Sequence, residues 1–172
     1  MKRKFLLAAI LLLLTISCFA QFRHIKGVNS ADLYAGVSKY GMVYGGGYVK
    51  YFSSKFYGKL TGFYEMGEDS GISFTSMGTD IAVARTLFKV GEGVYINAIG
   101  GLTFALDKIT EGAETFDVSQ KFKYGALLGA ELEFFITDKI VFVAGADQRI
   151  VLGGSDFGNY RAYYRGGLRF NF

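Results

Sequence analysis

The sequence predicts an all-β fold: an antiparallel up-and-down barrel of about eight strands, of the outer-membrane kind, after an N-terminal signal peptide. Three observations predict it. Apolar and polar residues alternate with period two in segment after segment. The segments are long; a membrane-crossing strand needs about 9–11 residues, whereas a globular strand averages about five or six. The chain carries 24 Gly, 17 Phe and 12 Tyr but no Pro, a composition that suits uninterrupted strand ladders.

The 172 residues fit one domain, and 51% hydrophobic against 20% charged residues excludes a disordered chain. Lys2, Arg3 and Lys4 form a basic start, and Phe5 to Ile16 form an apolar run. That run is long enough for a signal peptide but shorter than the roughly 18–20 residues of a spanning helix. Cys18-Phe19-Ala20 before Gln21 places small residues where a signal peptidase reads them. Residues 1–20 therefore read as a signal peptide, residues 21–30 as a pre-barrel segment and residues 31–172 as the β-barrel domain. Cleavage after Ala20 removes three basic residues and no acidic one, which lowers the net charge from +4 to +1. The basic balance belongs to the signal, and direct nucleic-acid binding is not expected. Cleavage also removes Cys18, the single cysteine. Lipidation of Cys18 is the alternative, although Thr15-Ile16-Ser17-Cys18 lacks the Leu usual three residues before a lipidated Cys.

The strands follow in order as Ala31–Lys39, Met42–Phe52, Phe56–Met66, Ser73–Phe88, Val94–Leu106, Phe122–Phe134, Ile140–Val151 and Ala162–Phe172. Alternation is clearest in the sixth. Phe122, Tyr124, Ala126, Leu128, Ala130, Leu132 and Phe134 share one parity, and Lys123, Gly125, Gly129, Glu131 and Glu133 the other. The last strand sets Tyr164, Leu168, Phe170 and Phe172 against Arg165 and Arg169. The third sets Leu60, Tyr64 and Met66 against Lys59, Thr61 and Glu65. Ser53–Lys55, Lys89–Gly93 and Thr137–Lys139 are short, as periplasmic turns should be. Asp107–Gln120 and Leu152–Tyr160 are longer, as external loops should be. Gly67–Gly71 is intermediate, and Tyr40-Gly41 is short for its external slot.

Alternation alone does not orient the barrel. A soluble carrier turns its apolar face inward, and a membrane barrel turns it toward lipid. Two features favour the membrane. The chain ends on Phe172, and with Phe170 this forms a C-terminal insertion signal of the kind that barrel-assembly machinery reads. The polar parity carries Glu131, Glu133, Asp147, Arg149, Arg165 and Arg169, which would cost about 2–4 kcal/mol each facing lipid near the midplane but can pair inside. Strands six, seven and eight are expected to bring these together as a structural charge cluster in a lumen too narrow for much else. Arg85 alone falls on the lipid parity, near a strand end where it can snorkel. Tyr51, Phe52, Phe56, Phe134 and Phe135, with Phe170 and Phe172, are expected to form interfacial girdles.

No catalytic, cofactor-binding or metal site emerges. His24, the single histidine, precedes the first strand and reads as an exposed tail residue. A metal set has neither a second His nor a mature Cys. Gly45-Gly46-Gly47 lacks the following Lys-Ser/Thr of a phosphate loop and reads as relief of crowding in the barrel. Glu68-Asp69 and Glu111–Asp117 read as solvated loop charge.

Lys123-Tyr124-Gly125-Ala126, Gly129-Ala130-Glu131-Leu132-Glu133, Thr137-Asp138-Lys139, Gly153-Gly154-Ser155-Asp156 and the ending Gly166-Gly167-Leu168-Arg169-Phe170-Asn171-Phe172 resemble the TraO family of conjugative-transposon proteins from Bacteroidetes. The resemblance is best over Tyr124–Phe172. It implies an exported protein associated with the machinery that passes DNA between cells, and it brings no catalytic residues. The expected partners are outer-membrane lipid, other conjugation-apparatus proteins and the barrel-assembly machinery. The readings that compete with a conjugation component are a general outer-membrane barrel for adhesion or envelope integrity, a soluble or lipid-tethered carrier, and an envelope enzyme acting on lipid through His24.

Overall fold

The computed structural model describes residues 24–69, 72–111, 121–152 and 159–172. Eight antiparallel strands close into one barrel in sequence order: β1 (Asn29–Ser38), β2 (Gly41–Tyr51), β3 (Phe56–Asp69), β4 (Ile72–Val90), β5 (Val94–Glu111), β6 (Lys121–Phe135), β7 (Ile140–Leu152) and β8 (Tyr160–Asn171). No helix occurs among the described residues. The β1–β8 ladder closes the barrel, with Ala31 opposite Phe170 and Val37 opposite Tyr164. Closure leaves no unpaired edge, so every strand can satisfy its backbone groups in lipid. Both termini of the barrel lie at one end, called proximal here, and the β1–β2, β3–β4, β5–β6 and β7–β8 connections lie at the distal end.

The apolar parity points outward. Phe122, Leu128, Leu33, Ile81 and Tyr164 are all at least half exposed, and Leu128 reaches 60%. Their in-chain neighbours Lys123, Leu127 and Tyr163 are buried. This is the orientation of a membrane barrel and the reverse of a soluble carrier. Arg85 is exposed on the outer wall, with its guanidinium 5.6 Å over the Phe56 ring. The aromatic ring offers that charge a partner near the proximal end.

Strand bounds follow the alternation closely, and the departures have local causes. β1 begins at Asn29, because Asn29 exchanges backbone hydrogen bonds with Phe172. β3, β4 and β5 run 14, 19 and 18 residues, past the expected ends at the distal side. Ser76 pairs with Asp107 and Thr75 with Lys108, so the ladder continues where a loop from Asp107 onward was expected. Asp107 is therefore a lumen residue. A bulge leaves Leu87 unpaired, and both Leu87 and Phe88 are exposed. Residues 112–120 and 153–158 of the two expected external loops lie outside the described residues, as do the expected signal peptide and Cys18.

Three tight connections are closed by hydroxyls. Ser38 Oγ accepts from the Tyr40 and Gly41 amides at 3.1 Å each, which explains why this distal turn is so short. Ser53 Oγ accepts from Lys55 and Phe56, and Thr137 Oγ1 from Lys139 and Ile140. Such side chains replace a backbone partner within a turn, which lets the strands reverse in few residues.

Inward glycines make room for large side chains on neighbouring strands. A Cβ on Gly45 would lie 2.3 Å from the Tyr34 ring, and one on Gly129 2.6 Å from Asp147 Cβ. Gly45→Val is accordingly expected to destabilise the barrel by about 1–3 kcal/mol through overpacking. Urea unfolding of the refolded barrel would measure it, and an unchanged midpoint would contradict the crowding argument.

Candidate functional site in the barrel lumen

The interior of the barrel is filled by charged side chains in three layers, each tied by ion pairs. The proximal layer is organised by Arg169, which is fully buried. Its Nε and Nη2 donate to the two oxygens of Asp32 at 2.6 and 3.0 Å. Nη2 also donates to Glu131 at 2.6 Å, while Nη1 donates to Tyr51 Oη at 2.9 Å and to Glu133. All five guanidinium N–H groups are thus used, the condition under which an ion pair survives burial. Lys59 adds a 2.6 Å bond to Glu131 and a 3.1 Å contact with Asp32. Tyr57 Oη donates to Glu131 at 2.8 Å.

In the middle layer Arg149 donates to Asp80 across the barrel at 2.8 Å. Its guanidinium lies between two rings, 3.9 Å over Phe63 and 4.0 Å over Tyr163. Asp147 lies 3.3 Å from Arg165 Nε and 3.6 Å from Arg149 Nε. In the distal layer Asp107 takes a bond from Lys123 and one of 2.5 Å from Arg161. Glu65 takes bonds from Arg161 at 3.3 Å and from Tyr163 Oη at 2.6 Å. A cavity beside Asp32, Lys59, Glu131 and Arg165 measures about 10 Å³, roughly the room of one water. The lumen is packed rather than open, as expected of eight strands.

Glu131, Glu133, Asp147, Arg149, Arg165 and Arg169 all point inward, but they do not form a cluster confined to β6–β8. Their partners also sit on β1, β3 and β4: Asp32, Lys59 and Asp80. Asp32, Lys59, Glu65, Asp80, Asp107, Lys123 and Arg161 belong to the same lumen. The signal for them was strand parity, since Lys59, Glu65 and Lys123 share the polar parity of their strands. What parity cannot show is which residues meet across the barrel.

His24 corrects the expectation of an exposed tail. It is 5% exposed and plugs the proximal mouth. Its ring lies 4.2 Å from Tyr95 in a stacked arrangement, 4.7 Å from Tyr51 and 5.7 Å from Tyr57. Nε2 is 2.5 Å from Glu133 Oε2, and Nδ1 is 3.1 Å from Thr86 Oγ1. Gly27 brings the chain back. Its φ of +94° with the Val28 amide to Ile25 carbonyl bond at 3.2 Å makes a tight turn that suits glycine, and its own amide bonds Tyr51 O at 2.8 Å. Tyr51 and Phe135, expected in an outer girdle, are buried instead and form walls of this mouth. Phe170 and Phe172 are exposed, Phe172 at 72%.

Hydroxyl, imidazole and carboxylate follow one another at Thr86, His24 and Glu133, the order of a hydrolytic relay. Thr86 directs its proton to Asn97 Oδ1 at 2.8 Å, and the imidazole is wedged between rings. The arrangement holds the chain in place rather than activating a nucleophile.

Among solved structures, the barrel resembles the N-terminal β-barrel domain of Pseudomonas aeruginosa OprF, with a TM-score of 0.61 at 18% identity, covering 86% of this chain and 98% of that one. It also resembles the P. aeruginosa outer membrane protein OprG, with a TM-score of 0.60 at 10% identity, covering 89% and 99%. Neisserial surface protein A (NspA) gives 0.59 at 14% identity, covering 84% and 96%. These likenesses establish the fold alone. No curated protein matches the chain in sequence. The family resemblance read from Tyr124–Phe172 is met by a family model: residues 107–172, from the end of β5 to the end of the chain, match conjugative transposon protein TraO.

Proposed function

We propose that this protein is an outer-membrane barrel that serves a conjugative DNA-transfer apparatus as a structural or interaction component. The observation that carries the reading is the TraO match over residues 107–172, on a barrel whose outer wall is apolar and whose lumen is packed with ion pairs. The fold and the family are structural rather than catalytic in kind. Residues 1–20 direct export, and the barrel domain, expected from residue 31, begins with β1 at Asn29. The proximal end faces the periplasm, and the assembly machinery reads Phe170 and Phe172. DNA does not pass through this lumen, because Arg169 and its carboxylates close it. Contacts with other transfer proteins are made by the distal loops and the proximal turns.

Removing the gene from a transferable element is expected to lower transfer frequency between cells, with restoration when it is supplied in trans. Unchanged transfer would leave a general envelope barrel as the better reading.

A further inference from the structure

The three layers differ in charge. The middle layer sets Asp80 and Asp147 against Arg149 and Arg165, and the distal layer sets Glu65 and Asp107 against Lys123 and Arg161. Each is balanced. The proximal layer sets Asp32, Glu131 and Glu133 against Lys59 and Arg169; Arg165, shared with the middle layer, lies 3.7 Å from Glu131, so the two layers together set five carboxylates against four cations and are one cation short. His24 sits where that cation is missing, against Glu133. Both of its ring nitrogens face acceptors. Glu133 offers carboxylate oxygen to Nε2. Thr86 donates its proton to Asn97, so it presents a lone pair to Nδ1. A neutral imidazole has one donor and one acceptor, whereas an imidazolium donates at both nitrogens. Aromatic rings on four strands surround the site: Tyr51, Tyr57 and Tyr95, with Phe135 at 6.1 Å. Rings whose faces and edges enclose one cation beside a carboxylate are the usual architecture for binding an organic cation.

We propose that the proximal mouth is a cage for one planar organic cation, and that His24 fills it in cis as an imidazolium. The strap that carries His24 is the lid of this cage. It is held at its far side by the Gly27 amide on Tyr51 O and the Tyr51 amide on Val28 O. A cavity of about 280 Å³ opens beside it, between Ile25, Val28, Phe135 and Phe172, and gives a small cation a route in. The charged groups around the cage are Glu133 and Glu131 from β6, Arg169 from β8, Asp32 from β1, Lys59 from β3 and Lys89 from β4, whose Nζ lies 5.9 Å over Tyr95. Asp138 and Lys139 stand at the rim. Lys89 is exposed, whereas the close ion pairs of Glu133 are with His24 and Arg169.

The test uses the full mature chain refolded in detergent micelles. Nitrogen NMR of the wild-type imidazole at neutral pH is expected to show both nitrogens protonated, and a neutral tautomer would overturn the proposal whatever the variants do. His24→Gly is expected to lower the melting temperature by an amount on the order of 10 °C. Imidazolium chloride should then recover most of that loss, compared with sodium chloride at equal ionic strength. Recovery should be stronger on the acid side of the probe's own pKa than on the alkaline side. Wild type should not respond. His24→Phe fills the space without the charge, and should remain destabilised and unresponsive. Recovery no better with imidazolium than with sodium, or a His24→Phe barrel as stable as wild type, would reduce the site to ordinary packing.

Discussion

Arg169→Leu is expected to be the most damaging single substitution in the lumen, with a loss of at least about 3–5 kcal/mol, enough to prevent refolding. The reason is the asymmetry of buried pairs. The Arg169 guanidinium uses its five donors on Asp32, Glu131, Glu133 and Tyr51, and removing it takes the shared partner from three carboxylates in a site almost closed to water. Lys59 still reaches Glu131 and Asp32, and His24 still reaches Glu133, but neither replaces the fork that joins all three carboxylates. Arg169→Lys should fail almost as badly, because an ammonium has three donors and no planar fork for Asp32. A second variant separates charge from packing. Pairing Arg169→Leu with Asp32→Asn removes one of the stranded charges, so it should recover part of the loss rather than add to it. Urea titration of folded fraction in micelles reads all of these. If the double variant were less stable than Arg169→Leu alone, uncompensated charge would not be the cause.

Leu128→Arg is expected to impair insertion at the outer wall by about 2–4 kcal/mol. Leu128 stands at the middle of β6, outward and 60% exposed, with Gly100 and Gln148 as its ladder partners. An arginine there has no lumen partner within reach and must displace lipid or draw water into the bilayer. Leu128→Phe should be tolerated, because the outer wall asks for apolar surface rather than a fitted shape. Folding yield into lipid vesicles, followed by urea titration, measures both. Leu128→Arg folding into vesicles as well as wild type would mean that this face does not meet lipid. The contrast with Arg169 is informative: the lumen fails through lost charge partners, and the wall through added charge.

How far the sequence carries depends on whether a property is local. Period-two alternation is local, so the strands of β3, β5, β6 and β8 could be read residue by residue, including which side of each strand would carry Glu131 or Arg169. Strand ends were read less well where pairing outlasts the pattern. β5 continues through Asp107 because β4 is there to pair with it, and nothing in Leu106-Asp107-Lys108 announces that. The charge cluster was half legible. The residues of β6, β7 and β8 were visible as a polar parity, but their partners Asp32, Lys59 and Asp80 lie far away in sequence and become neighbours only when β8 closes on β1. His24 was missed for a related reason. A single histidine ahead of the first strand has no periodic context, and the pocket that receives it is assembled from β2, β3, β5 and β6. Tyr51 and Phe135 were assigned to a girdle because aromatic residues at strand ends serve both walls and mouths. The direction of each depends on the register of its neighbours.

The sequence by itself determined an all-β, alternating chain with TraO-like motifs in its C-terminal part, and raised the expectation of export. These properties are carried by residue spacing and by contiguous motifs, which survive without any knowledge of three-dimensional contacts. The tertiary structure decided that the apolar parity faces out, that the lumen is closed by a five-donor Arg169, and that the chain before β1 turns at Gly27 to set His24 against Glu133. The physical reason is closure. Only when the eighth strand bonds to the first does the sheet acquire an inside. Only then do polar groups separated by a hundred residues or more, such as His24 and Glu133 or Asp32 and Arg169, meet at hydrogen-bond distance.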